Sequence, residues 1–233
     1  MKVSIIIPCY NEENRILNTL KKIREYVNTK KDNFEIIVVD DASADRTVEI
    51  VREFDNKIKI LKNERNMGKG YSVKRGILES SGDTSLFMDA DSSTEIKEFD
   101  NFISHFKNYD IVVGSRHLSK NSIKIPQGKL RRFFGFWAHK MIHLVTNSKV
   151  KDTMCGFKAF NKKSKNLFEK QLNMRWGFDY EIIFLAEKMG YKIKEVPVEW
   201  KDNHESKVTA GGYLKALSEL FAIRINNFLG RYN

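Results

Sequence analysis

The chain has 233 residues, 41% hydrophobic and 12% aromatic, with three prolines and a formal net charge of +11. This composition supplies a core for an α/β domain and excludes a disordered chain. No uncharged apolar run approaches the ~20 residues of a membrane-spanning helix, and Met1–Pro8 has too short an apolar stretch for a signal peptide.

Cys9 and Cys155 lie far apart and match no metal-ligand spacing, so reduced thiols in a cytosolic, soluble or peripheral protein are expected. The charge is unevenly spread. Residues 1–100 carry a net −2 and residues 101–233 a net +13, with nine basic and no acidic side chains between Ile111 and Lys151. Such a block suits nucleic acid, an anionic membrane surface or a phosphorylated substrate, and equally a solvated basic face.

The first half alternates as βαβ units. Val3–Pro8 is a continuous apolar run and is predicted as a buried parallel strand. Residues 11–27 carry Ile16, Leu20, Ile23 and Val27 at helical spacing. Glu35–Val39 is the second strand, Ala44–Phe54 the second helix and Ile58–Leu61 the third strand. Lys69–Glu79 is predicted as a helix, Thr84–Met88 as a strand, Ile96–Phe106 as helical and Asp110–Gly114 as a short strand. The second half is less regular. It holds an aromatic, basic segment at Gly128–Lys149, a loop and strand at Lys151–Phe160, and helices at Lys163–Leu172 and Phe178–Met189. Ile193–Trp200 alternates as a strand, and Tyr213–Leu229 reads as an amphipathic terminal helix.

Three polar clusters follow strand C-termini: Tyr10-Asn11-Glu12, Asp40-Asp41 and Asp89-Ala90-Asp91. Open α/β sheets bind ligands at that edge. Asp89 and Asp91 make either a solvated strand end or a seat for a hard divalent cation, and Mg²⁺ takes one or two carboxylates plus substrate phosphates. Asp40 and Asp41 can accept from a nucleobase or ribose, while Ser43 or Asp45 can cap the next helix. Lys69 either meets a pyrophosphate or is solvated. The dinucleotide glycine fingerprint and the P-loop are absent.

The segments SIIIPCYNEE (4–13), IIVVDDASADRT (36–47), NMGKG (66–70) and MDAD (88–91) together resemble the family-2 glycosyltransferases with the glycosyltransferase-A fold. The resemblance implies a mostly parallel central sheet flanked by helices, a nucleotide-sugar donor, Mg²⁺ or Mn²⁺, and inversion at the anomeric carbon. DTMCGFK (152–158), RWGFDYE (175–181) and Trp200 with Ser206-Lys207 are similar to the polyprenyl-phosphate glycosyltransferases, and within them to dolichyl-phosphate β-glucosyltransferases. After Asp91 the chain reads Ser92-Ser93-Thr94-Glu95, where that group usually has Gly-Ala-Thr-Lys, so the donor sugar stays open. The eukaryotic glucose enzymes also carry an N-terminal membrane anchor, and none is expected from this sequence.

Carried onto this chain, the resemblance implies one domain over 1–233, with a nucleotide-sugar half (1–115) and an acceptor and membrane-facing half (116–233). Pro8, Tyr10, Glu12 and Asp40 would line the nucleoside pocket, with Asp41 and Lys69 near it or the pyrophosphate. Asp89 and Asp91 would hold the metal, with Asp91 the better direct ligand. Arg116 and Arg131 would clamp the acceptor phosphate, and Lys207 would close over the site. Asp152 or Asp179 would orient the sugar, act as base, or serve structure.

Residues 129–145 and 213–229 would place apolar stripes in a membrane interface, on the core, or on a second subunit of a homodimer. His139 and His143 are read as ordinary interface or core residues. The implied function is hexosyl transfer, glucose from UDP-glucose, to a polyprenyl phosphate at the cytoplasmic membrane face. UDP-N-acetylglucosamine, GDP-mannose and a hydroxyl acceptor remain open. A basic nucleic-acid- or membrane-binding module explains the +13 half but not the acidic strand ends.

Overall fold

The computed structural model describes residues 1–119, 122–125, 129–201 and 210–233. In chain order the elements are β1 (Lys2–Cys9), α1 (Ile16–Asn28), β2 (Asn33–Asp40), α2 (Thr47–Phe54), β3 (Lys59–Lys62), α3 (Lys69–Leu78) and β4 (Thr84–Met88). There follow α4 (Asp100–Ile103), β5 (Ile111–Ser115), β6 (Ile123–Ile125), α5 (Lys129–Thr146), β7 (Phe157–Asn161), α6 (Asn166–Lys170) and α7 (Phe178–Lys188). The last are β8 (Ile193–Pro197), β9 (Trp200–Lys201) and α8 (Ala210–Phe228).

Seven strands form one sheet in the order β3-β2-β1-β4-β7-β5-β8, and β6 pairs with β9 beside it. Strand β7 runs antiparallel to both β4 and β5, and every other neighbouring pair in the large sheet is parallel. The mostly parallel sheet expected from the sequence is therefore present.

The pleat divides the core into two layers. On β1, Val3, Ile5 and Ile7 pack with Ile16, Leu20 and Ile23 of α1 and with Phe99 and Phe102. Ile6 points the other way, onto Val73 and Ile77 of α3 and the layer formed by α7 and α8. Helices thus cover both faces, as a parallel sheet requires.

Several boundaries differ from the sequence reading. The first helix starts at Ile16 rather than near Asn11. Asn11 adopts φ 53°, and the amides of Asn11, Glu12 and Glu13 donate to Ser43 Oγ, Thr47 Oγ1 and Asp45 Oδ2. The same cross-links keep residues 43–46 in a loop, so the second helix starts at Thr47 rather than Ala44. Asp45 does accept from the Thr47 amide, at 3.0 Å.

Residues 96–107 break into 3₁₀, α and 3₁₀ turns, and α6 is preceded by a 3₁₀ turn at Lys162–Lys165. The expected strand over Ile193–Trp200 splits at Pro197, which has no N–H to continue the ladder. Val198 then donates to Ser115 O, and Trp200–Lys201 turns away to pair with β6.

Candidate active site

Topology assembles the site. Strands β1, β2, β4 and β5 run in the same direction and end at Cys9, Asp40, Met88 and Ser115, while antiparallel β7 begins at Phe157 on that same edge. One sheet edge therefore carries Tyr10–Glu12, Asp40–Asp41, Asp89–Asp91, Arg116 and Gly156.

Asp89 follows β4, and its Oδ1 accepts from the Lys69 ammonium at 2.6 Å. Asp91 lies two residues further along the turn, with Oδ1 accepting from the Ser93 amide at 2.9 Å. Burial, and then the neighbouring Asp89 carboxylate, raises Asp91 above the ordinary carboxylate range. Among the described residues no group of three or more His, Cys, Asp or Glu gathers as a full metal cage. Two carboxylates on one turn are the kind of oxygen donors that Mg²⁺ or Mn²⁺ takes together with substrate phosphates.

On the donor side, Tyr10 is exposed at the edge (41%) and Pro8 is half-buried in β1. Glu12 forms a bidentate pair with Arg15 at 2.7 and 2.8 Å. Asp40 is buried, with Oδ1 accepting from the Ser43 amide at 3.2 Å. Asp41 is used within the chain. It is buried, and it accepts from Asn63 Nδ2, the Met67 amide and the Gly68 amide, each at 2.8 Å. Asp41, expected near the nucleoside pocket or the pyrophosphate, clamps the loop that launches α3. The amides of Gly70 and Tyr71 are taken by Arg175 O and Met174 O. Lys69 reaches the site through its ammonium, from a helix start whose neighbouring amides are already engaged.

On the other side, Arg116 and Asp152 form a bidentate pair, with Nε to Oδ2 and Nη2 to Oδ1 both at 2.8 Å. The Arg116 amide adds a third bond to Asp152 at 2.9 Å. Burial works to raise the Asp152 carboxyl, but Arg116 outweighs it and holds it at about 2. The guanidinium lies 5.5 Å from the Trp200 ring centroid. Arg116 reaches the site edge with its fork already fixed. Asp179 is also paired, with the buried Lys158, whose ammonium donates to Cys155 O at 2.6 Å. The Arg131 side chain and Lys207 lie outside the described residues.

Sequence reasoning passed over Lys158, Asn63 and Gly156. A lysine inside the apolar strand FKAFN was the available signal for a buried ion pair. Gly156 faces Asp89, and its role is visible only in the register that sets β7 against β4. The departure at Ser92–Glu95 has its own anchors. Ser92, Ser93 and Thr94 are buried, Thr19 Oγ1 meets Ser92 Oγ at 2.8 Å, and the Lys201 amide donates to Ser93 O at 2.9 Å. Hydrogen bonding from Lys97, aided by Lys201, holds the Glu95 carboxyl down at about 2.

The rings of His139 and His143 lie 4.4 Å apart, tilted by 55°, and bond to the carbonyls of Lys151 and Ser148. Both cysteines are free and buried, and burial pushes the Cys155 thiol up to about 12.

A mostly parallel sheet with an Asp-x-Asp turn on its central strand edge is the arrangement that the sequence resemblance to glycosyltransferases of the glycosyltransferase-A fold implies. The chain belongs to glycosyl transferase family 2, whose family model matches residues 4–168. It is 36% identical to a dolichyl-phosphate beta-glucosyltransferase of Trichomonas vaginalis, over 96% of this chain and 73% of that one. It is 35% identical to the dolichyl-phosphate beta-glucosyltransferase of Dictyostelium discoideum, over 98% of this chain and 75% of that one.

Solved structures share the fold at low identity. Mannosyl-3-phosphoglycerate synthase from Rubrobacter xylanophilus superposes with TM-score 0.75 at 15% identity, covering 99% of this chain and 75% of its own. Glucosyl-3-phosphoglycerate synthase from Mycobacterium tuberculosis, crystallised with Mn²⁺, UDP-glucose and phosphoglyceric acid, gives 0.69 at 16%, covering 95% and 79%.

Proposed function

We propose that the chain transfers a hexosyl group, glucose from UDP-glucose, to a polyprenyl or dolichyl phosphate, with inversion and with Mg²⁺ or Mn²⁺. The observation that carries this reading is the 36% identity, over 96% of this chain, to a dolichyl-phosphate beta-glucosyltransferase. The Mn²⁺ and UDP-glucose in the crystals of a neighbour with the same fold support the metal and the donor class.

In this reading Pro8, Tyr10, Glu12 and Asp40 line the nucleoside pocket, and Asp41 holds the loop that delivers Lys69 to the diphosphate. Asp89 and Asp91 hold the cation, which when bound offsets charge on the departing nucleoside diphosphate. Arg116 and Arg131 orient the acceptor phosphate, with Asp152 fixing the plane of the Arg116 fork. Lys207 is the residue this reading would have close over the site.

One acceptor oxygen bonds to the anomeric carbon as the bond from that carbon to the β-phosphate oxygen breaks, and its electrons leave with UDP. A phosphate monoester is already anionic at neutral pH, so no general base is needed. The ion pairs of Asp152 with Arg116 and Asp179 with Lys158 accord with positioning rather than proton abstraction. What the chain supplies is alignment and electrostatics.

The lipid tail of such an acceptor stays in a bilayer. No helix among the described residues is long and apolar enough to cross a membrane. Helix α8 exposes Leu217, Phe221, Ile225 and Phe228 along one side, and α5 exposes Trp137 and Leu144. Leu220, which the sequence placed in the same stripe, belongs to the core. The exposed set supports peripheral contact with the cytoplasmic membrane face.

The test offers UDP-glucose, UDP-N-acetylglucosamine and GDP-mannose to the chain with polyprenyl phosphate in vesicles and Mg²⁺ or Mn²⁺. A lipid-linked product from UDP-glucose is expected. Product from GDP-mannose alone overturns the donor, and transfer only to a hydroxyl acceptor overturns the lipid phosphate.

A further inference from the structure

Lys69 is the first residue of α3, and its position is over-determined. Gly68 holds φ +103°, and a Cβ there would meet Met174 O at 2.4 Å and Arg175 Cγ at 2.7 Å. Asp41 fixes the amides of Met67 and Gly68 from one side, and the carbonyls of Arg175 and Met174 take those of Gly70 and Tyr71 from the other. From this fixed point the Lys69 stem passes over Phe87, with Nζ 5.4 Å from the ring centroid, and ends 2.6 Å from Asp89 Oδ1. Asp91 and Asp179 add to the field on the same ammonium. The Lys69 side chain keeps 22% of its surface accessible.

We propose that Lys69 is a built-in counter-cation that couples divalent-metal binding at Asp89–Asp91 to binding of a nucleoside diphosphate. The proposal rests on those two aspartates forming the metal seat. The ammonium and the metal compete for one carboxylate. A dication arriving alone displaces Lys69 and leaves two cations side by side with no added anion. A diphosphate arriving with the metal gives the ammonium a new partner. The flexible four-carbon stem and rotatable head of lysine suit such a transfer, which the planar fork of arginine does not. Lys69 is in this sense a positioning residue, and the coupling it creates is reciprocal: metal tightens diphosphate as much as diphosphate tightens metal.

The test titrates Mn²⁺ alone into the full chain and into Lys69→Met, reading free Mn²⁺ by electron paramagnetic resonance, and repeats both titrations with UDP. Lys69→Met is expected to bind Mn²⁺ alone about fivefold more tightly or better, the lower end of ordinary coupling between sites. The gain in Mn²⁺ affinity that UDP gives the unaltered chain should shrink in the variant. Structural damage weakens binding, so a tighter variant is not explained by misfolding, and Lys69→Arg, which keeps the charge, should bind Mn²⁺ alone as the unaltered chain does while losing part of the gain that UDP gives. If Lys69→Met binds Mn²⁺ equally or more weakly while Asp91→Asn abolishes binding, the coupling role falls and the metal seat stands. If Asp91→Asn leaves Mn²⁺ binding intact, or neither chain binds Mn²⁺ with or without UDP, the seat falls and the coupling with it.

Discussion

Gly156 stands directly against Asp89: a Cβ at position 156 would lie 2.0 Å from Asp89 Oδ2 and 2.6 Å from Cγ. The register of β7 against β4 creates this closeness, since Met88 pairs with Phe157. The Asp89 side chain is one-third exposed and able to move aside. Gly156→Ala is therefore expected to fold and to displace the carboxylate. A shift of about 1 Å at a reacting centre costs about 10²-fold in rate. The measurement is kcat beside the thermal midpoint. A variant with unchanged kcat would mean that Asp89 does not need its observed place.

The Arg116–Asp152 pair gives a second prediction. Removing one partner of a buried pair costs about 3–5 kcal/mol, and the partial exposure of Arg116 places Asp152→Asn near the lower end. The pH dependence has a definite sign. The folded carboxyl, at about 2, lies below its ordinary 3.8. Its stabilisation is complete above that ordinary value and is lost as pH falls through the folded one. The stability gap between the unaltered chain and Asp152→Asn should be constant at neutral pH, narrow below about pH 4 and close near pH 2. An apolar pair, Arg116→Met with Asp152→Leu, should recover most of the stability and none of the lipid-phosphate transfer. Denaturant titrations across pH decide the first part, and product assays the second.

A third prediction concerns Asp41. Three donors converge on its carboxylate: Asn63 Nδ2 and the amides of Met67 and Gly68. Asp41→Ala leaves them without that acceptor, at a cost of roughly 3 kcal/mol. Because Lys69 follows Gly68 directly, the KM for the nucleotide-sugar donor should rise as well. An unchanged thermal midpoint together with a raised KM would return Asp41 to direct nucleotide contact.

Much of this arrangement was legible in the sequence because strand ends are. Continuous apolar runs fixed β1, β2 and β4, and the polar residues after them fell on one edge through parallel topology alone. What stayed hidden is contact between segments distant in the chain. Asp41 and Asp40 are indistinguishable as letters, yet one clamps a loop 26 residues on and the other holds Ser43. Arg116 reads as a phosphate-binding cation in the sequence, but the carboxylate that holds its fork, Asp152, lies 36 residues away and is visible only in the fold. The helix starts at Ile16 and Thr47 were displaced for the same reason, since cross-loop bonds between residues 11–13 and 43–47 outweigh local propensity.

Asp91 supplies a fourth prediction, again with a sign. Burial and Asp89 raise its carboxyl, so ionised Asp91 destabilises the fold in the absence of a cation. A raised folded value means that stability is lost as pH rises through and above the ordinary carboxylate range. Asp91→Asn should therefore raise the thermal midpoint at pH 7 in the presence of chelator, with the difference vanishing below about pH 4. Added Mn²⁺ should raise the midpoint of the unaltered chain and leave the variant unmoved. A variant that melts lower at pH 7 in chelator would contradict the crowding of the two carboxylates.

The last prediction addresses the face formed by α8. Leu217, Phe221, Ile225 and Phe228 recur at spacings of four, four and three, which keeps them along one side of a helix. Their exposures are 41%, 45%, 58% and 89%, while Leu220 and Ile223 on the opposite side are buried. Changing Phe221 and Phe228 to Ser removes little packing, so the thermal midpoint should stay within a few degrees. Each large side chain seated in a bilayer contributes about 1.5–3 kcal/mol, so losing two should weaken binding to anionic vesicles at least tenfold. Co-sedimentation with vesicles rich in phosphatidylglycerol reads this directly. Equal sedimentation of the two chains would assign the stripe to something other than a membrane. Dimerisation of the unaltered chain, lost in the double variant, would assign it to a second copy. A membrane face and a protein interface both need exposed apolar surface, but only the first loses vesicle binding without a change in oligomeric state.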